Sequence, residues 1–205
     1  GVSWGPTVTV GTQAASSVSV AVRGSRIAVA WVTATDVVVS QRIGGVWGEA
    51  VVVGSLTPTP DDPILYGPAV FLQDPQRVAV AWAEGLDSEP IRSNLMWAES
   101  ANGGARWFAA QRIATTASSR RLNDFPSIVW PAASTRYVAW NGWNAYSTTY
   151  RLYLRKGSGA PVGPTSVAPA WVPAADPPMI VPDADGGIAP LIGPNERRAV
   201  APTTE

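Results

Sequence analysis

Two eight-residue segments of this chain carry the same three residues at the same three places, and that limits the fold more than any other feature. Ser100-Ala101-Asn102-Gly103-Gly104-Ala105-Arg106-Trp107 has Ser, Gly and Trp at its first, fifth and eighth positions. Ser40-Gln41-Arg42-Ile43-Gly44-Gly45-Val46-Trp47 repeats all three. Gly1-Val2-Ser3-Trp4 reads as the second half of the same unit. A turn repeated at fixed internal spacing marks a repeated supersecondary unit. The residue types have a mechanical logic: a short polar side chain bonds back onto the turn backbone, Gly takes a positive φ, and Trp inserts between strands.

A second, independent repeat sets the strand pattern. Arg26-Ile27-Ala28-Val29-Ala30-Trp31 recurs as Arg77-Val78-Ala79-Val80-Ala81-Trp82, more loosely as Thr135-Arg136-Tyr137-Val138-Ala139-Trp140, and faintly as Gly187-Ile188-Ala189-Pro190-Leu191-Ile192. Trp31, Trp82, Trp140 and Ile192 are separated by steps of 51, 58 and 52 residues. Ser17, Pro68, Pro126 and Pro178 each lie 14 residues before one of these four and open an apolar run. Runs of β-branched and aromatic residues between Gly, Pro, Ser and Asp clusters predict strands. No long stretch carries a 3.6-residue apolar stripe, which predicts essentially no helix.

The turn pattern resembles the Asp-box of sialidase-like, BNR-repeat β-propellers, Ser-x-Asp-x-Gly-x-Thr-Trp, which sits between the third and fourth strands of a blade. The segment at Ser100 has Asn102 in the Asp place and Arg106 in the Thr place; the segment at Ser40 has Arg42 in the Asp place. A third site, 155–162, retains only Gly159. The resemblance implies an all-β fold: a β-propeller of four-stranded antiparallel blades, about four blade equivalents, as a closed ring or as a segment of a larger propeller. Read as one domain over 1–205, it predicts an outer strand at 3–10 and blades near 17–53, 68–114 and 126–168. Three further strands at 178–202 are completed by the outer strand. The resemblance also implies that Ser40, Gly44, Trp47, Ser100, Asn102, Gly104 and Trp107 are structural and lie away from the ligand face.

Composition narrows the chemistry. With 205 residues, 46% of them hydrophobic, the chain can bury a substantial core. The 15 basic and 15 acidic residues cancel, and no basic block exists, which argues against nucleic acid as a partner. No apolar run is long enough for a membrane-spanning helix, so no membrane insertion is expected. Absence of Cys and His excludes disulfides, thiolate nucleophiles, His-based triads and the usual zinc sites. No cofactor and no metal are expected.

Propeller ligands sit on the face built by the connections from strand four to strand one and from strand two to strand three, opposite the box turns. Those segments hold Glu84, Arg92, Arg121, Asp124, Asn141, Trp143, Asn144, Tyr146 and Tyr150, the candidate binding residues. Aromatic rings stack on the apolar face of a sugar while amides, carboxylates and guanidinium groups bond its hydroxyls. Asn141-Gly142-Trp143-Asn144-Ala145-Tyr146 is the strongest cluster: two rings, two amides and a glycine, read as a loop following Trp140. The alternative is that these polar segments are simply solvated and that Trp143 wedges between blades. Asp124 and Asp176 each stand two residues before a blade-opening proline and can equally cap the inner strand.

Sialidases of the resembled family grip a substrate carboxylate with three arginines and attack through a Tyr activated by a Glu, with an Asp as acid/base. Arg92, Arg120, Arg121, Arg197, Arg198, Tyr66, Tyr150, Glu84 and Asp62 supply the residue types. The family's Arg-Ile-Pro motif is absent, however: Arg112-Ile113 is followed by Ala114 and Arg42-Ile43 by Gly44. Fold alone confers no activity. The expectation is therefore a non-catalytic, extracellular or secreted module that binds a glycan or a cell-surface protein through its loop face. A structural or assembly module, joining itself or another chain through sheet edges, and a sialidase-like glycoside hydrolase fragment are the alternatives.

Overall fold

Alternation of small and large apolar residues along Arg26–Val32 and Arg77–Trp82 puts apolar side chains on both faces of each segment; both faces are buried in the second, whereas Ile27 and Val29 of the first are half-buried. The computed structural model describes residues 3, 5–56, 67–73, 76–87, 92–115, 121–132, 135–144, 149–157, 165–166, 179–182 and 188–191. Among these residues there is no helix.

Successive strands pair antiparallel as meanders. The first sheet holds β1 (Ser17–Arg23), β2 (Arg26–Val32), β3 (Asp36–Ile43), β4 (Val46–Trp47) and β5 (Val51–Ser55). β4 and β5 both pair with β3, forming one outer strand interrupted at 48–50. The second meander is β6 (Ala69–Gln73), β7 (Arg77–Asp87), β8 (Arg92–Ser100) and β9 (Gln111–Thr115). The third is β10 (Arg121–Ala132), β11 (Thr135–Asn144), β12 (Thr149–Gly157) and β13 (Thr165–Ser166). A parallel bridge between Arg92 and Arg121 joins the second and third. A hairpin of β14 (Met179–Pro182) and β15 (Ile188–Leu191) follows, with β14 beside β10.

The core is two layers between stacked sheets. Ala28, Ala30, Val32, Val37, Val39 and Val53 of the first meet Val70, Leu72, Val78, Val80, Trp82 and Ala98 of the second. The opposite face of the second, Ala79, Ala81, Leu95 and Trp97, meets Ile128, Val138 and Trp140 of the third. Within β7, therefore, Val78, Val80 and Trp82 look one way and Ala79 and Ala81 the other, as the period of two requires. Burial of valine and tryptophan side chains contributes roughly 1.5–3 kcal/mol each before entropy is charged against it.

Polar ties reinforce both junctions at the end opposite the β2–β3 hairpin. Gln41 donates from Nε2 to the Gly103 carbonyl at 2.9 Å and accepts from Arg26 Nη2 at 2.8 Å. Burial, and secondarily the nearby Arg23 charge, lowers the pKa of the Arg26 guanidinium. At the next junction Arg136 Nη1 donates to Glu99 Oε2 at 3.0 Å while its guanidinium lies 5.6 Å from the centre of the Trp97 ring.

Three sequence expectations change. Asn141–Asn144, read as a loop, continues β11, because β10 on one side and β12 on the other pair with its backbone. Polar side chains do not end a strand whose backbone groups are satisfied. Pro126 does not open the third meander: β10 begins at Arg121 and runs through it, with a register shift between Asp124 and Ser127. Proline has no N–H to give the ladder, and a bulge is where a sheet tolerates it. Residues 5–10, read as an outer strand, belong to no strand; the chain after Leu191, which holds the expected partner, lies outside the described residues.

Candidate functional site

The register places three separated segments at one end of the sheets. Ser17 stands opposite Val32 and Asp36 opposite Ser55, so the start of β1 and the β2–β3 hairpin share that end. The β7–β8 hairpin lies there too, with Asp87 opposite Arg92. In the third meander Arg121 is paired with Asn144, which is in turn paired with Thr149.

Glu84 and Asn94 face each other across β7 and β8, and Asn94 Nδ2 donates to Glu84 Oε2 at 3.4 Å. Asn94 is only 6% exposed, and its Oδ1 has no hydrogen-bond partner. A buried amide oxygen left unpaired costs about 1–3 kcal/mol, so it is a place where a donor would be held. Glu84 is half-buried at the same end. Sequence reasoning selected Glu84 and missed Asn94. The available signal was a lone amide inside the otherwise strand-like run Ser93-Asn94-Leu95-Met96-Trp97.

The bridge between Arg92 and Arg121 carries this end into the third meander. There the backbone of Asp124 is opposite Asn141, and Asn141 is opposite Leu152. Trp143 stands between Leu122 on one side and Tyr150 on the other. Eight candidates, Glu84, Arg92, Arg121, Asp124, Asn141, Trp143, Asn144 and Tyr150, thus occupy neighbouring ladder positions, although they come from sequence segments up to 66 residues apart. Tyr146, Tyr66, Asp62, Arg120, Asp176, Arg197 and Arg198 lie outside the described residues.

The equivalent end of the first sheet is closed on itself. Thr33 Oγ1 accepts from the backbone N–H of Asp36 at 3.0 Å and of Thr35 at 3.3 Å. The Asp36 carboxylate accepts from Thr35 Oγ1 at 2.7 Å and from Ser55 Oγ at 3.3 Å. These groups hold a tight turn.

At the far end sit the repeated turns. Asn102 Oδ1 accepts from the Arg106 N–H at 2.8 Å and from Ser100 Oγ at 2.9 Å, while Ser100 Oγ accepts from the Gly104 N–H at 2.9 Å. Gly103 and Gly104 have φ of 73° and 90°, the left-handed region that glycine enters at little cost. In the other turn Ser40 Oγ donates to the Gly48 carbonyl at 2.9 Å and Arg42 Nε to the Gly45 carbonyl at 3.0 Å, with Gly44 at φ 58°. Trp107 packs against the core between the first two sheets. Both turns link a third strand to a fourth, away from Glu84 and Asn94.

No protein-family model matches the chain, and no curated protein matches it. Solved structures do. An α-L-arabinanase of Penicillium chrysogenum, solved with arabinobiose, aligns over 83% of this chain with a TM-score of 0.58 at 11% identity. The fold is that of a β-propeller. The four-stranded meanders are its blades, and the chain spans about half of that arabinanase, 54% of its length. A sucrose-6-phosphate hydrolase of Lactobacillus gasseri aligns over 80% of this chain and 36% of its own, with a TM-score of 0.45 at 8% identity. An endo-arabinase of Bacteroides thetaiotaomicron aligns over 88% and 89%, with a TM-score of 0.33 at 9% identity. At scores below one half these last two add nothing to the assignment of fold.

Proposed function

We propose that this chain is a non-catalytic propeller module, working outside the cell, that binds carbohydrate through the end of its blades bearing Glu84, Asn94, Trp143 and Tyr150. The observation that carries the reading is the convergence at that end: two rings, amides, carboxylates and arginines from separate segments stand at adjacent ladder positions. The unpaired Asn94 Oδ1 adds an acceptor suited to a hydroxyl donor. A fold shared with an arabinanase solved with arabinobiose supports a sugar ligand. The box-like turns at Ser40 and Ser100 act as structural fasteners in this reading, as in BNR-repeat propellers.

A glycan array carrying sialylated, neutral hexose and arabinan-derived oligosaccharides tests it. The expected result is selective binding that Trp143→Ala and Tyr150→Ala each weaken about 3- to 10-fold, the loss of one ring stack of ~0.5–1.5 kcal/mol. Silence of a well-folded sample across the array would refute the reading. The same arabinanase likeness favours a second one, a glycoside hydrolase fragment. Release of sugar from any array ligand, lost in Glu84→Gln, would replace binding by catalysis.

A further inference from the structure

Asn102 and Asn141 are the two asparagines of this chain that precede glycine. An asparagine so placed is open to an internal reaction, because the glycine puts no side chain in the way of its own backbone nitrogen. That nitrogen, once it has lost its proton, bonds to the asparagine Cγ. The Cγ–Nδ2 bond breaks, ammonia leaves, and a five-membered succinimide remains. Water then opens the ring, at the side-chain carbonyl to give aspartate or at the main-chain carbonyl to give isoaspartate.

The fold treats the two sites differently. Asn141 and Gly142 lie inside β11, with Asp124 and Asn123 of β10 opposite them on one side and Leu152 and Arg151 of β12 on the other. Swinging the Gly142 nitrogen onto the Asn141 side chain there means breaking the ladder. Asn102 is exposed in the turn after β8, and Gly103 follows it at φ 73°, a conformation that glycine enters and leaves at little cost. The Gly103 N–H donates to the carbonyl of Gln76 at 2.6 Å, and that bond must open first. It is a single bond to another exposed residue, a brake of about tenfold. Against that brake, the Asn102 carboxamide is activated for attack. The Arg106 N–H at 2.8 Å and Ser100 Oγ at 2.9 Å both donate to Oδ1, the atom that takes up negative charge as the nitrogen adds. We infer that Asn102-Gly103 is a site of spontaneous deamidation in the folded protein, turning an amide of the Ser100 turn into an acid while Asn141 keeps its amide. An aspartate at 102 retains both donors and, being charged, holds them more strongly. Isoaspartate lengthens the backbone by one carbon and loses that fit.

The test incubates the full chain in warm, mildly alkaline buffer, folded in one sample and unfolded by urea in another, and digests aliquots with trypsin over time. Cleavage after arginine places the two sites in separate peptides, 93–106 and 137–151, so mass spectrometry reads each conversion independently. Electron-transfer fragmentation then assigns the altered residue and separates aspartate from isoaspartate. In urea both peptides are expected to gain acid on a comparable time scale. In the folded protein, Asn102 is expected to convert within about tenfold of its rate in urea, and Asn141 at least about tenfold more slowly than Asn102. Asn102→Gln, whose cyclisation would need a six-membered ring, is expected to leave peptide 93–106 unconverted. An Asn102 amide that persists in the folded protein would overturn the inference. So would an Asn141 that lags Asn102 by less than that margin, since the fold would then not distinguish the two sites.

Discussion

Gly54→Ala measures the first blade junction with a single methyl group. Gly54 lies on outer strand β5, and its Cα faces the indole of Trp82 from the second blade. A Cβ there would sit 2.8 Å from Cη2 and 3.2 Å from Cε2, and closer still to Cζ2. Ordinary carbon contacts are about 3.5–4.0 Å, so the ring must retreat by roughly 1 Å. Trp82 is 1% exposed and hemmed in by Val32, Val53, Val80 and their neighbours, which leaves it no free direction. Overpacking of this kind costs ~1–3 kcal/mol, and a rigid buried ring belongs at the upper end, about 2–3 kcal/mol. For a chain of this size that corresponds to a fall of roughly 4–12 °C in Tm. Urea unfolding followed by tryptophan fluorescence, with parent and variant compared at equal m-value, gives the number. The decisive control repeats Gly54→Ala in a Trp82→Leu background, where the obstructing ring is gone. The penalty should there drop below about 1 kcal/mol, a coupling of ~1–2 kcal/mol between the two sites. A Gly54→Ala protein within ~0.5 kcal/mol of its parent, or an identical penalty in both backgrounds, would refute the packing of β5 against β7.

Other perturbations test the remaining features. Asn102→Ala removes the acceptor for both the Arg106 N–H and Ser100 Oγ and should cost about 1–2 kcal/mol in urea unfolding, whereas Asn102→Asp keeps the acceptor and should not. Arg136→Ala loses a partly exposed ion pair with Glu99 and a cation–π contact with Trp97; the expected loss is ~1 kcal/mol, shrinking between roughly 0.05 and 0.5 M salt as surface pairs do. Asn94→Leu should leave stability within about 1 kcal/mol of the parent, since it removes an amide oxygen that has no partner together with one long bond from Nδ2 to Glu84. The same variant should weaken binding to any glycan found on the array; a large stability loss with unchanged binding would assign Asn94 to the framework.

The fold was legible because its repeat is written in volume. Alanine alternating with valine and ending in tryptophan, at Arg26–Trp31 and Arg77–Trp82, suits a strand with apolar residues on both faces; the second copy is packed on both, and the first packs its alanine face while Ile27 and Val29 stay half-buried. Gly44 and Gly104 mark turns because their positive φ leaves little alternative to glycine. The site was less legible. The rule that a blade opens at a proline fails at Pro126 because a bulge absorbs it, a tertiary accommodation with no local signature. Asn141–Asn144 was judged by side-chain polarity, yet its strand state is decided by backbone partners from β10 and β12, which are distant or later in the chain. Asn94 is singled out by its environment: what distinguishes it is a missing partner, and sequence does not record partners.

The two-sided burial of β7 gives that strand a reading frame. One residue inserted between Arg77 and Trp82 would send valines where alanines now fit and alanines where valines now fit, jamming one junction and hollowing the other at once. Two inserted residues would restore the phase. Insertions of odd length are thereby tolerated in hairpins and inter-blade links and not within the strand. A propeller of this design can change length at its hairpins and links while its strands stay in phase, and those segments lie on the ends that a ligand can reach.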